Sequence, residues 1–182
     1  MTGRLTTTDS DIRSALHRKR LRHQKSRPDT LIIDELGLAH ARSRVDIAVI
    51  NGCIHGYEIK SAQDSLDRLG NQIDIYRQAL QKVTIVTAHR HLPKVLSTVP
   101  EWCGVIEAVQ GARGGIRLQP VRSARMNPDI DPVMLAHLLR RPEVLDLLCR
   151  IGYAPKQLRG PRKQLVEAPH RRLILRTSAV SL

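Results

Sequence analysis

The chain has 182 residues, enough for one domain with a real core and a tail, without disulfide or metal staples. Thirty Lys and Arg against seventeen Asp and Glu leave a formal charge of +13, which points to a polyanionic partner, nucleic acid first. With no Phe, one Trp and three Tyr, the core must be aliphatic, and a base-stacking platform for single strands is disfavoured.

Cys53, Cys103 and Cys149 are odd in number and widely spaced, with no CxxC pair and no zinc spacing, which reads as reduced thiols in a cytoplasm. Residues 1–20 are polar and charged with no apolar signal core, and no run of about eighteen apolar residues marks a membrane span. The expectation is a cytoplasmic protein without a membrane partner.

In chain order, Thr6 to Asp11 offers helix caps ahead of Ile12, Ala15 and Leu16, followed by the basic run Arg18 to His23. Leu31 to Leu36 is apolar with the carboxylates Asp34 and Glu35 inside it, and periodicity leaves strand and helix end both open. Arg44 to Ile50 and Ile54 to Lys60 read as two strands around an Asn51-Gly52 hairpin signal. Asp64 to Leu80 reads as a helix with Leu66, Leu69, Ile73 and Leu80 on one stripe. Val83 to Ala88 has the continuous apolar composition of a strand covered on both faces. Pro93 to Val99 reads as a helix, and Gly104 to Val109 and Gly115 to Leu118 as strands joined by a glycine-rich turn. Asp131 to Arg150 is an amphipathic helix interrupted near Pro142, and a basic stretch from Lys156 closes the chain. The expected division is a domain over 1–125 and a helical basic extension over 126–182.

Glu58-Ile59-Lys60 is the sharpest chemical signal. Strand alternation puts Glu58 and Lys60 on one face and Ile59 on the other. A carboxylate able to bind a divalent metal, beside an ammonium able to orient the attacking water, is what phosphodiester hydrolysis needs. Asp46 lies twelve residues earlier in an otherwise apolar strand. Buried and unpaired it would be costly; a metal accounts for it, and the other accounts are a salt bridge with Arg44 or Lys60, or simple exposure at the strand start. Glu35 is a further metal-ligand candidate and Asp34 competes for that place.

Parity makes this testable. A two-residue Asn51-Gly52 turn would pair Asp46 with Tyr57 and put Glu58 on the opposite face. A three-residue loop or a bulge brings the two acids together, so the simple two-residue turn is not expected. Gln72 and Tyr76, four apart on the following helix, are neighbours that either aim at the site or pack and solvate in the ordinary way. Ser61 either binds a phosphate or caps a turn, and Arg44 is a further candidate for substrate contact. His89 and His91 flank Arg90 after the Val83–Ala88 strand and could reach a phosphate.

Asp46 followed by Glu58-Ile59-Lys60 resembles the D-x(n)-(D/E)-x-K core of the PD-(D/E)XK nuclease superfamily, and Gln72-x-x-x-Tyr76 resembles the QxxxY feature of RecB-type exonucleases. Leu31 to about Pro100 is similar to a small group of uncharacterised stand-alone bacterial and phage proteins of that superfamily. The resemblance implies an α/β, restriction-endonuclease-like fold: a mixed sheet flanked by helices with an αβββαβ core. It implies Mg²⁺-dependent cleavage of DNA, with Mn²⁺ able to substitute. In that picture Asp46, Glu58 and the Ile59 carbonyl bind metal, Lys60 handles the water, and Glu35 matches the helix glutamate of many members. Gln72 and Tyr76 would contact substrate or brace the lysine. The proline of the motif name is absent, with Val45 in its place. Two other readings compete: a nucleic-acid-binding module that keeps the fold without cleaving, and an interaction protein whose basic charge meets an acidic partner.

Overall fold

A computed structural model describes residues 7–38, 43–111, 114–139, 141–150, 152–161 and 163–167. The fold is α/β, with a six-stranded mixed sheet and helices. The chain divides into two compact units, Met1–Ile130 and Asp131–Leu182.

In the first unit, Thr8 caps helix α1 (Asp9–Ala15) through a reciprocal box with Asp11. The basic run continues it as a π-helical turn (Leu16–Arg20) and a short helix α2 (Arg22–Lys25). Three strands follow, β1 (Leu31–Leu38), β2 (Ser43–Ile50) and β3 (Ile54–Lys60), then helix α3 (Leu69–Ala79) and strand β4 (Lys82–Ala88). Helix α4 (Leu92–Thr98) and strands β5 (Gly104–Gln110) and β6 (Ile116–Arg122) complete the unit.

The strands lie in the order β1-β2-β3-β4-β5-β6. Neighbours are antiparallel except for β3/β4 and β4/β5, which are parallel. Parallel pairing needs a crossover, and α3 and α4 supply the two required. Centrally placed β4 is buried at every position after Lys82, as its continuous apolar run implies. Pro120 sits on β6, an edge strand where a missing N–H is tolerated. Ile12, Ala15, Leu16 and Leu21 pack on a sheet face made of Ile47, Val49, Tyr57, Ile59, Val86 and Ile106.

The open alternative at Leu31 to Leu36 resolves as strand, not helix end. The helix expected from Asp64 begins five residues later, at Leu69. Local side chains capture the backbone donors of the intervening stretch: Ser61 N–H binds Asp64, Gln63 N–H binds Ser61 Oγ, and Asp67 N–H binds Ser65 Oγ. Leu66 therefore precedes the helix instead of joining its stripe.

The second unit contains α5 (Pro132–Ala136), capped by Asp131, and α6 (Arg141–Arg150), where the sequence reading expects one interrupted helix. Pro142 sits in the first turn of α6, where its missing N–H costs nothing. Val144, Leu148, Leu165 and Val166 form a small core. The apolar patch at 173–175 and the basic tail beyond Glu167 lie outside the described residues. No helix among the described residues is long and apolar enough to cross a membrane.

Asn127 closes the C-terminal end of α3. Its Nδ2 donates to the carbonyls of Arg77 (2.6 Å) and Leu80 (2.9 Å). Arg77 is in the last turn of the helix and Leu80 is its C-cap, so neither carbonyl has a partner inside the helix. Replacing Asn127 by Ala should lower the urea midpoint by the equivalent of about 1–3 kcal/mol with an unchanged m-value. An unaltered midpoint would show that water takes over both bonds.

Candidate active site

The hairpin loop has three residues, Asn51-Gly52-Cys53: the final ladder pair is Ile50↔Ile54 and the register continues to Ile47↔Tyr57. Gly52 takes a positive φ of 82° at the middle of the loop, a conformation glycine adopts without a Cβ penalty. This is the loop length that parity requires. Asp46 and Glu58 follow the last pair, and both line one cavity of about 520 Å³ together with Glu35, Arg44, Ile59 and Lys60.

Glu58 is the most enclosed of these groups, at 3% exposure. Its Oε1 accepts from Lys60 Nζ (2.7 Å) and Gln72 Nε2 (2.6 Å). Its Oε2 lies 2.6 Å from the Tyr76 hydroxyl, which is also 2.9 Å from the Arg44 carbonyl. Burial, and then the Glu58 charge, push the Tyr76 phenol well above its ordinary pKa, so it remains a protonated donor. Gln72 and Tyr76 thus grip the glutamate directly. The Gln72 Oε1 is buried and has no partner among the described residues. Gly56 of β3 leaves room for Leu80, the residue that caps α3: a Cβ there would lie 2.6 Å from Leu80 Cδ1.

Asp46 sits just beyond the end of the β2/β3 ladder. Its Oδ2 accepts the Ile59 N–H at 2.6 Å. Its salt bridge is with Arg13 of α1, and neither Arg44 nor Lys60 supplies it. Burial first, and the Glu58 charge second, raise the Asp46 pKa from 3.8 to about 7.

Glu35 is on strand β1, so it does not match a helix glutamate. It adopts φ 59°, rare for a residue with a side chain, and interrupts the ladder between Asp34↔Ile47 and Leu36↔Val45, opposite Asp46. Its carboxylate binds Arg13 (2.8 Å) and lies 3.6 Å from Arg44. Glu35 lines the cavity with Asp46 and Glu58, but among the described residues no three His, Cys, Asp or Glu side chains are gathered closely enough to form a metal-holding group. Ser61 is buried in the turn after β3, its Oγ accepting from Gln63, and is not part of the cavity wall. His89 pairs with Glu107, and His91 is buried; neither lines the cavity.

The residues missed from sequence are Asp9 and Arg13. Asp9 opens α1 and lines the cavity. Arg13 binds Asp9, Glu35 and Asp46 at once. The available signal was their spacing of four along a helix.

The fold and site together define a mixed α/β protein with an open carboxylate–lysine pocket at the mouth of a β-hairpin. Residues 5–180 match the family described as Bacteriophage P4 protein cII, and the chain belongs to that family. It is 33% identical over 124 residues to Protein cII of Enterobacteria phage P4, covering 68% of this chain and 47% of that protein. The chain thus spans about half the length of the curated relative it matches. No solved structure matches.

The raised Asp46 pKa gives a pH prediction. The folded state holds this proton more tightly than the unfolded chain, so the linked stability is fully present below about 3.8 and lost as pH rises through about 7. Urea midpoints measured across that window should fall less steeply for Asp46→Asn than for the wild type. Parallel profiles would mean that Asp46 titrates normally.

Proposed function

We propose that the chain is a divalent-metal-dependent nuclease of the PD-(D/E)XK type, acting on DNA phosphodiester bonds. The observation that carries this reading is the convergence of Asp46, Glu58 and Lys60 on one cavity, through a loop length that a two-residue turn would not permit. The order α1-α2-β1-β2-β3-α3-β4 supports it: with the π-helical turn and four-residue α2 taken as a continuation of α1, it follows the αβββαβ order of restriction-endonuclease-like folds. The net charge of +13 suits a phosphate backbone. The three cysteines are free, in keeping with a cytoplasmic setting.

The residues fit a hard divalent cation. Magnesium uses one or two carboxylates and keeps several waters or substrate oxygens. Two facing acids, one raised to about 7 partly by the other's charge, leave negative potential that a cation would relieve. Asp46 and Glu58 would hold Mg²⁺ or Mn²⁺, with the Ile59 main chain alongside. Such an ion neutralises charge at the scissile phosphate and acidifies a bound water.

The chain's own groups do the positioning. Gln72 and Tyr76 fix both Glu58 oxygens. Lys60 keeps its ammonium 2.7 Å from Glu58, placed to orient a water against a phosphate. The Arg44 side chain is 65% exposed at the cavity and can reach a backbone phosphate.

One observation favours the alternative, a nucleic-acid-binding module that does not cleave: the acids are already satisfied internally, Glu58 by three donors and Asp46 by Arg13. Nicking of supercoiled plasmid in Mg²⁺ separates the two. The wild type should nick, and Asp46→Ala and Lys60→Ala should each lose at least about 10²-fold in rate. DNA retardation without nicking in the wild type would favour the module, and equal nicking by all three proteins would point to another site.

A further inference from the structure

Arg13 bridges three acids that line the cavity, Asp9, Glu35 and Asp46, and its contacts are those of a bound counter-ion. Its Nε donates to Asp9 (3.1 Å), Nη1 to the Asp46 carbonyl (2.7 Å), and Nη2 to Glu35 (2.8 Å) and Asp46 Oδ1 (3.0 Å). A guanidinium has five N–H donors in a planar fork, a shape suited to several oxygens at once. The helix that carries it is anchored by the buried Ile12 and Ala15, with buried Leu16 at its C-terminal cap. Its Glu35 and Asp46 acceptors sit where the β1/β2 ladder is interrupted, at the positive-φ Glu35.

We infer that Arg13 is an internal counter-cation that holds Asp46 and Glu35 in the metal-free protein and exchanges with the divalent ion. This rests on the metal-dependent reading above and adds a positioning residue to it. Arg13 Nη2 occupies Asp46 Oδ1 while the Ile59 N–H occupies Oδ2, so a cation approaching the Asp46 carboxylate competes with one or both. Exchange is charge-compensated, because the leaving guanidinium keeps Asp9 as a partner on its own helix. Linkage makes the competition reciprocal: what Arg13 holds, the metal must release. A purely structural Arg13 would have the opposite signature, since its loss would loosen Asp46 and weaken metal binding.

Titration of the full-length protein with MnCl₂ without DNA, following free Mn²⁺ by electron paramagnetic resonance, tests this. Arg13→Gln should bind Mn²⁺ about tenfold more tightly than the wild type, within the usual range of coupling between sites. Asp46→Ala should bind none at this site. If Arg13→Gln does not fold, as judged by circular dichroism, Arg13→Lys keeps the charge without the fork and should shift affinity in the same direction. Equal or weaker binding in the folded variant, with Mn²⁺ still bound by the wild type and lost in Asp46→Ala, overturns the role of Arg13 and leaves the metal site standing. No binding by any of the proteins removes the metal-dependent reading and the exchange together.

Discussion

An ionised carboxylate taken almost wholly out of water must be matched by donors on both oxygens, or its burial is prohibitive. Glu58 meets that requirement with Lys60 from its own strand and with Gln72 and Tyr76 from α3. The constraint reaches well beyond one side chain. It fixes where α3 lies across β3, and it calls for Gly56 so that Leu80 can settle against the strand. Tyr76 is itself fully enclosed, and its hydroxyl also lies near the Arg44 carbonyl, tying β2 to the same point. Removing one partner from such a cluster leaves a buried group unsatisfied, which costs far more than a surface ion pair.

Around that rigid centre the opposite wall is held differently. Asp46 lies past the end of one ladder and opposite the interruption of another, so its backbone carbonyl and carboxylate are both available to side chains. Arg13 takes one of each. The Glu58 side of the cavity is thus held by donors from β3 and α3, and the Asp46 side by an arginine from α1. Glu35, half-exposed and in left-handed backbone, lies on the arginine side, and strain of that kind clusters at functional sites.

The sheet and the central pair of chemical residues were legible because they obey short-range rules. Alternation in Glu58-Ile59-Lys60 places Ile59 in the core and its neighbours in the cavity, as the structure has it. Parity turned a loop length into a statement about which face Asp46 shares. What the sequence hid depends on contacts between distant segments. Asp64 looked like the start of a helix because apolar spacing says nothing about a serine and an aspartate diverting the backbone donors. Glu35 passed for a helix acid because a single positive φ inside a strand has no compositional mark. Arg13 was one basic residue among thirty Lys and Arg, and only the folded chain brings it 3.0 Å from Asp46, thirty-three positions away.

The loop at Asn51-Gly52-Cys53 has a consequence for how this chain can vary. Because side chains alternate faces, adding or deleting one loop residue while the ladder slides to follow would carry the whole of β3 across the sheet. The glutamate and lysine would then turn into the aliphatic core and Ile59 would turn outward. A change of two restores the facing. Natural length variation at this tip should therefore come in even steps, or be compensated by a bulge within the hairpin, although the tip is exposed and touches nothing in the cavity.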